Sequence, residues 1–315
     1  MKKILSFILI LTLSLTVLAA CGGKEDEETA YTLGIGVVMN VDEASATAES
    51  TVAAVVTDGD GKIVECRIDA IDYTAAIDEA GAPKSVLPVS KRDQGDNYGM
   101  LAAWGSSLAE WYRQAEAFEA YVTGKTLAEV RAIALDENGK ATDAELTAGC
   151  TITVSDFIAA VDKAMSSEHK VEFSAKGDLT AAVAVLPELE AKAETLTYEY
   201  TVNYAAVVAA GETTVAAILD VADVTMVCTA DADGKLVASS STYKGTKLEQ
   251  GDDYNMVEYG QAQSEWYVQA LLYAKTVVGK APTALDAIPT EGVAGCTIGV
   301  ESYKAALVKA GKAVR

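Results

Sequence analysis

The stretch Gln94-Gly-Asp-Asn-Tyr-Gly-Met100, followed by Glu110-Trp-Tyr-Arg-Gln-Ala115, Gly124-Lys125 and Ala148-Gly-Cys-Thr-Ile152, occurs twice in one chain. Its second form is Gln250-Gly-Asp-Asp-Tyr-Asn-Met256, then Glu265-Trp-Tyr-Val-Gln-Ala270, Gly279-Lys280 and Ala294-Gly-Cys-Thr-Ile298. Trp111 and Trp266 lie 155 residues apart, as do Gly124 and Gly279, whereas Cys150 and Cys296 are 146 apart, so one loop of the second copy is shorter by nine residues. Four matched blocks in one order identify a tandem duplication. A chain of 315 residues is long enough to give each copy a hydrophobic core.

Outward from these blocks, the first copy reads as alternating strands and helices. Tyr31–Met39 has strand character, and Thr51–Thr57 with Lys62–Asp69 reads as a hairpin around Asp58-Gly-Asp-Gly61. That loop lacks the spaced oxygen ligands and twelfth-position glutamate of a calcium loop, so it is a turn. Lys91–Met100 is a polar loop, and Ser107-Leu-Ala-Glu110 has the form of a capping box. Trp111, Ala115, Phe118 and Val122 recur at helical spacing as far as Gly124, and Thr126-Leu-Ala-Glu129 opens another short helix. Ser155–Ala164 gives the closing helix.

In the second copy, Tyr200–Val208 echoes Tyr31–Met39, and Val224–Thr229 with Lys235–Val237 reads as the matching hairpin. Trp266, Ala270, Tyr273 and Val277 repeat the helical stripe. Between the copies, Val171–Phe173 suggests a strand, while Leu179–Thr195, rich in alanine and interrupted by Pro187, reads as a broken helix. The expected fold class is therefore α+β. Two similar domains, 31–170 and 196–315, flank a linker over 171–195, each with a small, mainly antiparallel sheet and packed helices.

Composition narrows the function classes. A net charge of −21 argues against nucleic acid, whose binding rests on cationic neutralisation of phosphates, and against adhesion through anionic lipid headgroups. The one histidine, His169, reads as a solvated loop residue; it gives no nucleophilic triad in each copy and no His-rich metal site. No repeated acid–base pair stands at a spacing that nominates a catalytic residue. Cys66, Cys150, Cys228 and Cys296 read as small buried hydrophobes, with a Cys150–Cys296 bridge as the alternative in an exported chain.

The chain opens with Met1-Lys2-Lys3, an apolar run from Ile4 to Leu18, and Leu18-Ala-Ala-Cys21-Gly22. This is an export signal. Its end resembles the lipobox of bacterial lipoproteins, which implies cleavage after residue 20, lipid on Cys21 and a polar tether over 21–30. The resemblance implies a membrane partner through that lipid and a location on the outer face of a bacterial membrane.

The closing block, Ala148-Gly-Cys-Thr-Ile152 before the helix of Ser155–Ala164, resembles the end of the FMN-binding domain of exported flavoproteins. The family carries FMN on a threonine through a phosphoester bond. By that resemblance the cofactor residues are Gly149, Cys150 and Thr151, with Gly295 and Thr297 in the second copy. Ala148 stands where the family has serine, Cys150 where it has alanine, and Glu145 where it has aspartate. The middle blocks resemble lipoproteins of Gram-positive anaerobes.

Three readings stay open: an electron carrier passing electrons through FMN to a redox partner protein, a flavin-free module that binds a small molecule or protein, and a structural surface antigen. Trp111 and Trp266 read as core anchors and Asp96 and Asp252 as caps, with contact to a flavin ring or ligand as the alternatives. Lys91 and Lys247 read as solvated charges, with contact to a phosphate as the alternative.

Overall fold

The computed structural model describes residues 28–314 except 104, 106 and 232–234. The expected signal peptide and the lipidation site Cys21 lie outside the described residues. Strands β1 (Thr29–Asp42), β2 (Thr47–Asp58) and β3 (Ile63–Thr74) are followed by helices α1 (Lys91–Gln94), α2 (Met100–Ala103), α3 (Trp111–Val122), α4 (Leu127–Arg131), α5 (Ala144–Thr147) and α6 (Ser155–Ser166). Then come β4 (Val171–Ala175), β5 (Leu179–Lys192), β6 (Thr197–Ala210), β7 (Thr213–Ala230) and β8 (Leu236–Thr242), and α7 (Lys247–Gln250), α8 (Trp266–Ala274) and α9 (Glu301–Ala313). The strands form two antiparallel four-stranded sheets, ordered β3-β2-β1-β4 and β5-β6-β7-β8. The fold is α+β, built from two similar halves.

The sheets face each other across a shared core. Alternation along the strands separates the two faces of the first sheet. Leu33, Ile35, Val37, Val52, Ala54 and Tyr73 point inward, in one cluster with Tyr200, Val202 and Tyr204 of the second sheet. Ala53, Val55, Cys66, Ile68 and Ala70 point outward, onto Trp111, Ala115 and Phe118 of α3 and Phe157, Ala160 and Val161 of α6. Burial on both faces explains why β2 reads as a continuous apolar run. Tyrosines lock the halves together: Tyr73 stacks on Tyr200 with ring centroids 4.6 Å apart, and Tyr204 Oη and Ser50 Oγ are hydrogen-bonded at 2.8 Å.

Equivalent contacts show how the halves correspond. Gly124 N donates to Ile63 O as Gly279 N donates to Thr214 O, and Asp69 accepts from Arg92 N as Asp220 accepts from Leu248 N. These pairs match β3 with β7, hence β2 with β6 and β1 with β5. Lys163 Nζ on α6 donates to Val37 O (2.8 Å) and reaches Glu249 of the other half (2.6 Å). Its counterpart Lys309 on α9 donates to Val185 O (2.6 Å) and pairs with Asp93 of the first half. Each half grips the other through the same residues, the signature of an isologous, two-fold-like interface within one chain.

This correspondence corrects the expectations for residues 171–208 and for the second hairpin. Leu179–Lys192 is a strand, not a helix, and 171–195 holds two strands rather than a linker. The second repeat's sheet starts with β5, before residue 196. The alanines of β5 are buried between the sheets and α9, and its edge position lets Pro187 lack an N–H without breaking the ladder. The counterpart of Tyr31–Met39 is β5, not Tyr200–Val208. The hairpin matching β2–β3 is β6–β7, while β8 is an addition at the outer edge.

Candidate functional site

The repeated blocks converge on one buried glutamine per half. Gln114 on α3 has no exposed surface. Its Oε1 accepts from Thr151 N (2.8 Å) and Thr151 Oγ1 (3.1 Å), and its Nε2 donates to Ala109 O (2.8 Å). Gln269 on α8 repeats this with Thr297 N (2.7 Å), Thr297 Oγ1 (3.0 Å) and Ser264 O (2.8 Å). Glu110 accepts from Met100 N (2.8 Å) and Leu101 N (3.1 Å), and Glu265 accepts from Met256 N (2.8 Å) and Val257 N (3.0 Å). Ser107 therefore does not head a capping box; the cap position is Glu110, whose carboxylate reaches back to the preceding loop.

The other repeated residues also face inward. Trp111 and Trp266 are buried anchors, edge-on to Phe157 and Tyr303 respectively. Lys91 is not a solvated charge: its Nζ lies 2.8 Å from Asp72 and within 6 Å of the Tyr98 and Trp111 rings, a cation–π cage that Lys247 repeats with Asp223, Tyr254 and Trp266. Asp96 and Asp252 hold the phenol hydroxyls of Tyr112 and Tyr267, both at 3.1 Å, rather than capping a helix through their carboxylates.

The residues assigned to FMN divide in the same way. Thr151 and Thr297 are exposed, with their hydroxyls donated to glutamine. Cys150 is buried, and burial pushes its thiol up to about 11. Cys66, Cys150, Cys228 and Cys296 are all free thiols, so no Cys150–Cys296 bridge forms. A Cβ on Gly149 would meet Ala117 Cβ at 2.7 Å, and one on Gly295 would meet Leu272 Cδ1 at 2.8 Å. Both glycines thus let the loop lie flat on a helix rather than open a cradle. Each threonine is thus an exposed attachment point without an enclosed cradle.

The open volume lies elsewhere, in a cleft of about 780 Å³ between the halves. One wall is α3, with Tyr112, Glu116, Glu119 and Thr123; the other is the C-terminal end of α9, with Lys309 and Lys312; Arg67, Arg92 and β5 complete it. Thr151 and Thr297 do not line it. Glu119 is buried, accepts from Ile68 N (2.7 Å) and pairs with Arg92; burial, only partly offset by Arg92, pushes its carboxyl up to about 7. Arg67 pairs with Glu65 at 2.8 Å, and the side chains of Arg67 and Arg92 remain 33% and 24% exposed.

The two-fold-like arrangement creates a sister cleft, and its chemistry is different. Ile218 stands for Arg67, Leu248 for Arg92, Leu271 for Glu116 and Ala274 for Glu119. The segment after α6 enters it, with the His169 ring tilted against Tyr267 at 4.2 Å between centroids, and divides it into pockets of about 310, 170 and 420 Å³. His169 is thus a half-buried plug, not a solvated loop residue. The sequence showed each charged residue of the first cleft but no motif, because they come from β3, α1, α3 and α9. Only the strand-by-strand match exposes the asymmetry.

No protein family matches the chain, and no solved structure matches it. Over 131 residues the chain is 32% identical to a chlorophenol reductase of Desulfitobacterium hafniense, covering 34% of this chain and 39% of that protein. The chain therefore spans well under half the length of this curated relative.

Proposed function

We propose that this protein is a lipid-anchored, extracytoplasmic binding module whose two repeats hold a small molecule in the cleft between α3 and α9. The observation that supports it most is the contrast between the two clefts. At the equivalent positions the other side carries Ile218, Leu248, Leu271 and Ala274, so the charges of this cleft are not required by the architecture. The cleft's size falls within the range of small-molecule sites. The anchor rests on the Leu18-Ala-Ala-Cys21 motif and is checked by the mass of the membrane-extracted mature chain. The cleft is tested by melting the protein against a panel of small metabolites. Ligands should raise the melting temperature of the parent and not of Ala120→Trp, which fills the cleft. A panel with no hit, or hits indifferent to Ala120→Trp, overturns the reading.

A second reading is an FMN-dependent electron carrier attached at Thr151 or Thr297. In its favour are the solvent access of both threonines and the partial similarity to a reductase. FMN would supply one- and two-electron redox chemistry. Purified protein with flavin absorbance that Thr151→Ala abolishes would establish this reading, and a colourless preparation that takes up no FMN would remove it.

A further inference from the structure

We propose that the cleft selects a small-molecule carboxylate, held by Arg67 and Arg92 on one side and Lys312 on the other. This rests on the binding reading above and adds the class of ligand. Replacing buried ion pairs by apolar residues of similar volume is often neutral or stabilising, so charges retained at four positions that are Ile218, Leu248, Leu271 and Ala274 in the sister cleft point to a ligand. Arg67 and Arg92 present planar guanidinium forks that match carboxylate geometry, and each keeps part of its side chain open to the cleft. Their present shared partner is itself a carboxylate: Arg92 pairs with Glu119, and Arg67 Nη1 lies 3.9 Å from it. The spacing of the two guanidiniums is thus already set around one planar acid group.

Glu119 also provides for exchange of partners. Its carboxyl, pushed up to about 7 by burial, takes a proton readily when a ligand carboxylate draws the arginines away. Lys309 is occupied by Val185 O and Asp93, whereas Lys312 stands exposed on the same wall, facing α3 across the opening. Glu116 and Asp93 at the rim weigh against a multiply charged anion such as phosphate and leave a carboxylate as the better match. Thr180 offers a hydroxyl to a polar body, and Ala181 and Val183 an apolar floor.

The test is calorimetric titration of the full chain with acetate, succinate, glutamate and benzoate, with inorganic phosphate and putrescine as controls. At least one carboxylate should bind, and the controls should not. The variant Arg67→Ile/Arg92→Leu/Glu116→Leu/Glu119→Ala, which installs the sister cleft's residues, should weaken that binding by about tenfold or more. Lys312→Glu, an exposed substitution that leaves the core untouched, should weaken it in the same direction and keeps the test valid if the fourfold variant fails to fold. Binding of putrescine or phosphate alone, abolished by the same variants, would leave the cleft as a site and overturn the carboxylate. No binding by any carboxylate, or binding that survives Lys312→Glu unchanged, would overturn the proposal.

Discussion

Replacing Gln114 by leucine should destabilise the protein without touching the cleft. The side chain is wholly buried, and it makes three well-formed hydrogen bonds, to Thr151 N, Thr151 Oγ1 and Ala109 O. Leucine matches it roughly in volume, so the loss is polar rather than a cavity. At roughly 1 kcal/mol per net hydrogen bond, with water repairing part of the deficit at the exposed Thr151, the cost is about 2–3 kcal/mol. In a chain of this size that lowers the melting temperature by about 4–8 °C. Circular dichroism of guanidinium unfolding reads the change as a shift in midpoint at constant slope. Thr151→Val, which removes the hydroxyl alone, should cost about 1 kcal/mol or less. A loss below about 0.5 kcal/mol for Gln114→Leu, or equal losses for the two variants, would refute the assignment of the repeated block to structure.

Other outcomes follow from the same geometry. Burial pushes both Asp220 and Glu119 up to about 7, so the folded state holds protons that the unfolded chain releases near its ordinary carboxylate values. Stability should be greatest at the lower end of that window and fall as pH rises from about 4 through 7. The melting temperature should be higher at pH 5 than at pH 8, and Asp220→Asn should shrink the difference. Gly36→Ala should be severe, by roughly 3 kcal/mol or more in denaturant unfolding, because its Cβ would lie 2.2 Å from Ala160 O and 2.4 Å from Ala164 N, both α6 backbone. Lys163→Met removes the bond to Val37 O and a half-exposed pair with Glu249, and should cost about 1 kcal/mol, checked in the same assay.

The duplication, the α+β class, the α3 and α8 stripes and the β2–β3 hairpin were legible because their signals are local: period, spacing and turn chemistry. Four things were not. The register between copies is hidden in the sequence because Tyr200-Thr in β6 imitates Tyr31-Thr in β1, whereas β1 and β5 share burial pattern rather than residues. The composition of the Ala-rich β5 favours helix, but burial between the sheets and α9 decides otherwise. The role of Lys91 and Lys247 was hidden because a cation held between one carboxylate and two aromatic rings, each from a different segment, leaves no motif. The cleft was invisible for the same reason, and it matters more to function than any block that repeats.

The central claim is that the charges of the open cleft serve a ligand and not the fold. The most direct measurement is the unfolding free energy of Arg67→Ile/Arg92→Leu/Glu116→Leu/Glu119→Ala beside the parent. A value within about 1 kcal/mol of the parent or above it is the predicted result. A loss of about 3 kcal/mol or more, with a cooperative transition retained, would show that the cluster is a structural ion network and contradict the claim.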